Sequence, residues 1–469
     1  DRVKTGAPPA SIFSPTAPFN MFINMDKKAL LEAAKAVLEK NRTPHFTKPA
    51  PNLYPHQWNW DAGFIAIGLA HYDMARAEAE LRHLFSGQWS NGFLPHIIFR
   101  EEADARYFPG PDFWQTERNP AAPSSPATSG ITQPPVHGFV LWRLYEIATD
   151  KDRAKAFLKS LFPKVVALHR HLYENRDPLD EGLIYIRHPW ESGTDNSPTW
   201  DAPLAKIDLS NADLPPYTRQ DLQNPKAARH RPTDLDYDRY VHLVDLFRQN
   251  NYDERAIFEV CPFLVQCPLF NGILSKSNEA LIKIGALLGE DIAEILQWHE
   301  LTLFSLNEKL WDEEWGLYNA FDLRHNCLLP VETSSGILPL FGNVPTQDQA
   351  EQTLRLLKHP AFGGTPDNPV WRCPTYSLLA DDVDFERYWR GPVWINMNWM
   401  LYHGLRAFDF NQLAEQVRED SLELLSRFGF YEYFDPRKSV TTDNGYGTPQ
   451  FSWSAALCID FLSDSFQDH

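Results

Sequence analysis

The sequence predicts an all-α protein, and three observations carry that prediction. Apolar residues recur at helical spacing in about a dozen separate segments. Alternating strand patterns are almost absent, the one candidate being a small hairpin at Trp311–Asp322 around Gly316. No fixed-period repeat of the solenoid type runs along the chain. Two arrangements meet these conditions: an open stack of helix pairs, or a closed ring of them, an (α/α)6 barrel. The segments richest in aromatics and acids fall at connections between helices. In a ring, alternate connections converge on one mouth and gather those segments into a pocket, whereas an open stack spreads them out.

Residues 1–25 read as an extended N-terminal segment, because the first positions are rich in Pro, Ala and Ser. From residue 26 to 469 the chain reads as one barrel domain with two insertions. Asp26 can cap a helix to about Lys40, with Leu30, Ala33, Ala34, Val37 and Leu38 on one face. Tyr54-Pro-His-Gln-Trp-Asn-Trp-Asp61 opens a helix over Phe64–Leu69, and another runs from Asp73 to about Phe85. Residues 86–133 form a Pro-rich insertion containing Tyr107-Phe-Pro-Gly110. Loops of that length are functional or disordered, and the aromatics argue against disorder. Ile131-Thr-Gln-Pro-Pro135 starts a helix to about Ile147, its prolines in the tolerant first turn. The next helix, about Asp152–Tyr173, is expected to bend near Pro163. Residues 188–237 form the second insertion. Helical patterns resume at about 238–250, 253–260, 277–288 and 291–310, with a short one at Glu332–Leu338. The last four lie at about 347–358, 393–407, 411–427 and 452–463.

Composition narrows the function. The chain has 469 residues, 44 Lys and Arg against 62 Asp and Glu, and a net charge of −18. Without a run of basic residues, this balance argues against a nucleic-acid partner. No apolar stretch is long enough for a membrane span. The five cysteines (Cys261, Cys267, Cys327, Cys373 and Cys458) are odd in number and lack CxxC spacing, which argues against disulfides and a zinc site. A reduced, cytoplasmic setting follows as the expectation. A homo-oligomer is compatible with all of this. Aromatics make up 13% of the chain, with 15 Trp, many of them in polar loops. Stacking on the apolar faces of sugars is one use for such indoles, and core packing is the other.

The densest of these loops is His188–Asp201, HPWESGTDNSPTWD, which fits no helical or strand period. A carboxyl group held against indoles is desolvated, which favours its protonated form and suits it to donate a proton. Hydrolysis of a glycosidic bond needs two such groups, one to protonate the leaving oxygen and one to activate water. The acids in aromatic loops are Asp61, Glu191, Asp195, Asp201, Glu432 and Asp435. Spacing cannot choose among them, since they come from distant parts of the chain. There is no GxSxG for a serine nucleophile, no Gly-rich phosphate loop and no HExxH pattern. His56, His137 and His188 are expected to bond backbone or carboxylate partners rather than a metal. No metal or cofactor is predicted.

Five segments then become recognisable together. YPHQWNWDAGF (54–64), GITQPPVHG (130–138), HPWESGTDNSPTWD (188–201), YWRGPVW (388–394) and FSWSAAL (451–457) resemble glycoside hydrolase family 63. The likeness is closest to its bacterial mannosylglycerate and glucosylglycerate hydrolases and spans about residues 50–465 in the same order. The resemblance implies an (α/α)6 barrel and inversion at the anomeric carbon. It implies Asp195 as general acid, Glu432 as general base and Asp61 as an acid that helps hold the attacking water. It implies a sugar site lined by Tyr54, Trp58, Trp60, Gln133, Trp190, Tyr388, Trp389, Trp394 and Trp453, with Gly193 in the same loop as the acid. Tyr107, Arg231 and Tyr237 match the residues that such hydrolases turn to glycerate.

An arginine suits that last task, because its planar fork matches a carboxylate. The alternative for Arg231 is a loop-pinning pair with Asp234. One position departs from the pattern. Phe451 stands where a Gln is expected in the glucosylglycerate hydrolases, with Gln450 one place earlier, which bears on glucose against mannose. The reading is therefore an inverting α-glycosidase that takes a small glycoside, releasing D-glycerate and a hexose from mannosylglycerate or glucosylglycerate. Its rivals are an α-glucosidase or α-mannosidase acting on neutral oligosaccharides, a non-catalytic sugar-binding barrel, and a sugar epimerase working through His bases.

Overall fold

In the computed structural model, residues 26–100, 107–219, 221–222 and 228–464 are described. The extended segment expected at 1–25 lies outside them, as do parts of both insertions. The helices form a closed ring. Its inner wall is built by α2 (Asn59–Ala70), α4 (His137–Ile147), α6 (Pro268–Leu288), the short α8 (Ser334–Ile337) with the turn Leu338–Leu340, α10 (Ile395–Ala407) and α12 (Ser452–Asp464). Each packs on the next, and α12 returns to α2, so the ring closes. Outside lie α1 (Lys27–Lys40), α3 (Met74–Ser86), α5 (Lys151–Arg176), α7 (Ala293–Ser305), α9 (Gln347–Lys358) and α11 (Asn411–Phe428). This is the (α/α)6 barrel and not the open stack.

The two layers differ in sequence for a physical reason. An outer helix buries one stripe, so α1 buries Leu30, Ala34, Val37 and Leu38 and exposes its Lys and Glu residues. The inner helix α2 is covered all round, and every one of its residues is buried. Small residues let inner helices approach closely. A Cβ at Gly68 of α2 would lie 2.4 Å from the Cα of Ala456 in α12, and one at Gly138 of α4 would lie 2.4 Å from the Ser277 carbonyl in α6.

Most element expectations hold within a turn, and several are corrected. The helix bearing Asp61 begins at Asn59, because the buried strand β1 (Gln57–Trp58), paired with β2 (Ile97–Ile98), feeds directly into it. Residues 131–136 precede α4 rather than forming its first turn. The helix expected from 277 begins at Pro268, a residue that suits a first turn. A four-stranded antiparallel sheet joins β3 (Tyr185–Ile186), β4 (Val265–Gln266), β7 (Ala320–Asp322) and β8 (Cys327–Leu329). The hairpin expected at Trp311–Asp322 is therefore real only as far as Tyr318, where β5 (Trp311–Asp312) pairs with β6 (Leu317–Tyr318), and the remainder belongs to that sheet. Among the described residues no helix is long and apolar enough to cross a membrane.

Candidate active site

The connections at one end of the ring meet over a cavity with two adjoining lobes. The inner lobe, about 390 Å³, is walled by Trp58, Trp60, Asp61, Gly193, Trp389, Glu432, Phe451 and Trp453. The outer lobe, about 810 Å³, is walled by Tyr107, Phe108, Trp190, Asp221, Arg231 and Tyr237. Tyr54, Trp58, Gln133, Asp195 and Tyr388 border both. The segments that carry these residues are far apart in sequence and converge only because the ring closes.

Asp195 sits at the junction of the lobes. Its loop is a pair of tight turns. The Trp200 indole donates to the Thr194 carbonyl at 2.9 Å, and the Tyr240 hydroxyl donates to the Asp195 carbonyl at 3.2 Å. Gly193 has φ +76°, and a Cβ there would meet the Trp60 ring at 2.5 Å, so the turn needs glycine twice over. Burial raises the Asp195 carboxyl to about 7; Arg231 opposes the rise and Glu432 adds to it. At neutral pH this group can hold a proton to give away.

Glu432 lies on β9 (Tyr431–Tyr433), which pairs with β10 (Tyr446–Pro449) across a register break. The segment continuing from β9 also exchanges backbone hydrogen bonds with Val393 through Phe434, which brings Tyr388 and Trp389 beside it. Burial raises the Glu432 carboxyl, but four donors and charges oppose that. The Tyr54 and Tyr388 hydroxyls donate to Oε1 at 2.8 and 3.3 Å, and the Thr448 N–H donates to Oε2 at 3.3 Å. The Arg231 guanidinium stands 3.5 Å from Oε2 and 4.5 Å over the Tyr388 ring. Stabilisation of the anion is what separates this carboxylate from Asp195. Tyr388 reaches it from a left-handed backbone, φ +39°, a strained conformation for a bulky residue.

Asp61, in the first turn of α2, is held well above the usual carboxylate range by burial, then by Glu432 and Asp195. The remaining acids of the aromatic loops face arginines instead. Glu191 is fully buried, 3.2 Å from Arg176, and accepts the N–H groups of Arg187 and Thr132. Asp201 holds Arg390 in a fork at 2.9 and 2.7 Å, and Asp435 holds Arg437. The structure thus divides six candidates into three that wall the cavity and three that pin the loops.

The predicted lining residues are distributed more finely than the sequence allowed. Trp190 walls the outer lobe and not the inner one. Trp394 walls neither lobe and is corrected to a backing role: it stacks on Trp389 at 3.6 Å and donates its indole N–H to the Tyr388 carbonyl at 2.9 Å. The indole N–H groups of Trp389 and Trp453 have no partner among the described residues. Asp234 is taken by Arg219, not by Arg231. Phe451 is buried in the inner lobe, edge-on to Tyr54 and Trp453.

Sequence reading missed Gly447 and Thr448, which lie in a segment without aromatic–acid density. A Cβ at Gly447 would fall 2.2 Å from the Glu432 carboxylate. Two of the three histidines have the expected backbone partners: His188 pairs with the Tyr240 carbonyl at 3.2 Å, and His56 accepts the Arg100 N–H; His137 instead pairs with the side-chain amide of Asn59 at 2.7 Å. Among the described residues no three His, Cys, Asp or Glu side chains group as metal ligands.

A helical ring whose mouth brings differently tuned carboxyl groups to one aromatic cavity defines a glycoside hydrolase of the (α/α)6 class. Residues 54–454 match the mannosylglycerate hydrolase MGH1-like glycoside hydrolase domain, and the chain belongs to that family. It is 43% identical to a mannosylglycerate hydrolase of Rubrobacter radiotolerans over 92% of this chain and 96% of that one. It is 36% identical to a glucosylglycerate hydrolase of Mycolicibacterium hassiacum over 92% and 97%. The crystal structure of the GH63 mannosylglycerate hydrolase from Thermus thermophilus, in complex with Tris and D-glycerate, superposes with a TM-score of 0.84. It is 44% identical and covers 92% of this chain and 100% of that one.

Proposed function

We propose that this protein hydrolyses an α-glycoside of D-glycerate, mannosylglycerate or glucosylglycerate, with inversion. The observation that carries the reading is the pair of unequally tuned acids, Asp195 and Glu432, at one two-lobed cavity. The hexose occupies the inner lobe among the indoles, and the aglycone lies in the outer lobe beside Arg231. Asp195, at the junction, protonates the glycosidic oxygen. Glu432, whose anion Tyr54, Tyr388, Thr448 and Arg231 stabilise against the effect of burial, takes a proton from water. Asp61 holds that water. Because water and not a carboxylate attacks the anomeric carbon, one displacement inverts it. The D-glycerate in the Thermus relative supports an anionic aglycone. The five cysteines are unpaired thiols, which fits the expected cytoplasmic setting.

The test is turnover of both glycerate glycosides by Asp195→Ala and Glu432→Ala. Each is expected to lose at least about a thousandfold in kcat. Near-normal turnover by either variant would remove that residue from the reaction.

A further inference from the structure

We infer that Arg231 links the charge of the aglycone to the basicity of Glu432, so that selectivity for an anionic aglycone is expressed in turnover and not in binding alone. This rests on the hydrolytic reading above. Arg231 is buried and belongs to the wall of the outer lobe, yet its Nη2 lies 3.5 Å from Glu432 Oε2. Its Nη1 donates to Tyr54 Oη at 3.3 Å, and Tyr54 in turn donates to Glu432. Its Nε and Nη2 have no hydrogen-bond partner among the described residues, so the fork is only partly used. Nearby, Arg219 is committed to Asp221 and Asp234 at 2.7 and 3.0 Å, which among the described residues leaves Arg231 as the cation of this wall with donors to spare.

The groups that face Glu432 are Tyr54, Asp61, Asp195, Arg231, Tyr388 and Tyr433. Among them Arg231 is the cation. A neutral aglycone leaves the whole guanidinium field on Glu432, which holds the carboxylate anionic and makes it a weaker base. A carboxylate arriving in the outer lobe shares that field. Glu432 is then less stabilised as an anion and accepts the proton of water more readily. Arg231 is in this sense a positioning residue that acts through Glu432.

The experiment compares the pH dependence of kcat for a glycerate glycoside with that for the matching glyceramide glycoside, which keeps the shape and removes the charge. The acidic limb is expected about one pH unit higher with the glycerate substrate. Arg231→Met is expected to erase the difference, with fold checked by circular dichroism. Coincident limbs in the wild-type protein would overturn the inference, and so would a difference that survives in Arg231→Met. The wild-type comparison decides the matter even if the variant does not fold. Failure to turn over either glycoside would overturn the hydrolytic reading, and this inference with it.

Discussion

Gly447 and Glu432 are packed so closely that no side chain fits between them: a Cβ on the glycine would sit 2.2 Å from the carboxylate oxygen. Gly447 also has φ +75°, which disfavours any other residue. Gly447→Ala should therefore displace Glu432 from Tyr54 and Thr448. The expected result is a fall in kcat of at least about a hundredfold, since misplacing a reacting group by an ångström costs that much. The far-UV circular dichroism should stay unchanged. Wild-type kcat in this variant would show that Glu432 needs no such close backing.

The raised carboxyl of Asp195 has a consequence for stability. Its folded-state value, about 7, lies above the ordinary carboxylate value, so the folded protein binds the proton more tightly than the unfolded chain. That contribution is complete at acid pH and is lost as pH rises through about 7. Asp195→Asn never ionises and keeps it. The variant should match the wild type in melting temperature near pH 4 and exceed it at pH 8, by on the order of 4 kcal/mol in unfolding free energy. Parallel melting curves at both pH values would show that Asp195 is not desolvated. In the wild type, the alkaline limb of kcat/KM should fall near pH 7, reporting loss of the donated proton.

Glu191 makes the opposite case. It stands in the same loop as Asp195 but faces Arg176 in full burial. Glu191→Gln leaves a buried guanidinium short of charge and should destabilise the fold by about 3 kcal/mol. Thermal unfolding measures this directly, and unchanged stability would show that the pair is dispensable.

Phe451 brings an apolar ring to the inner lobe and offers no hydrogen bond to a sugar hydroxyl. Phe451→Gln would add an amide there. The ratio of kcat/KM for glucosylglycerate over mannosylglycerate is expected to rise about tenfold, the worth of one good hydrogen bond. An unchanged ratio in a folded variant would remove Phe451 from the choice of hexose.

The barrel and the cavity are unevenly legible in the sequence, for physical reasons. Amphipathic outer helices announce themselves by their stripe, so the pattern at 347–358 coincides with α9, Gln347–Lys358. The inner helix α2 carries no stripe, because every face is covered, and periodicity finds only part of it, as of α6. Strands of two or three residues, such as Tyr185–Ile186, are too short to show a period. Asp195, Glu432 and Asp61 are legible through the recurring segments around them. Their separation from Glu191, Asp201 and Asp435 is not, because it depends on where Arg176, Arg390 and Arg437 fold back. Trp394 looks like its neighbour Trp389 in sequence and differs from it only by the side of the wall it occupies.

Asp195 and Glu432 can act on one bond only if water attacks from the face opposite the leaving oxygen. A ¹H NMR time course of the wild-type protein on mannosylglycerate reads this before mutarotation mixes the anomers. β-Mannose and D-glycerate appearing first is the expected result. α-Mannose appearing first, or an intact substrate, would contradict the paired roles given to these two acids.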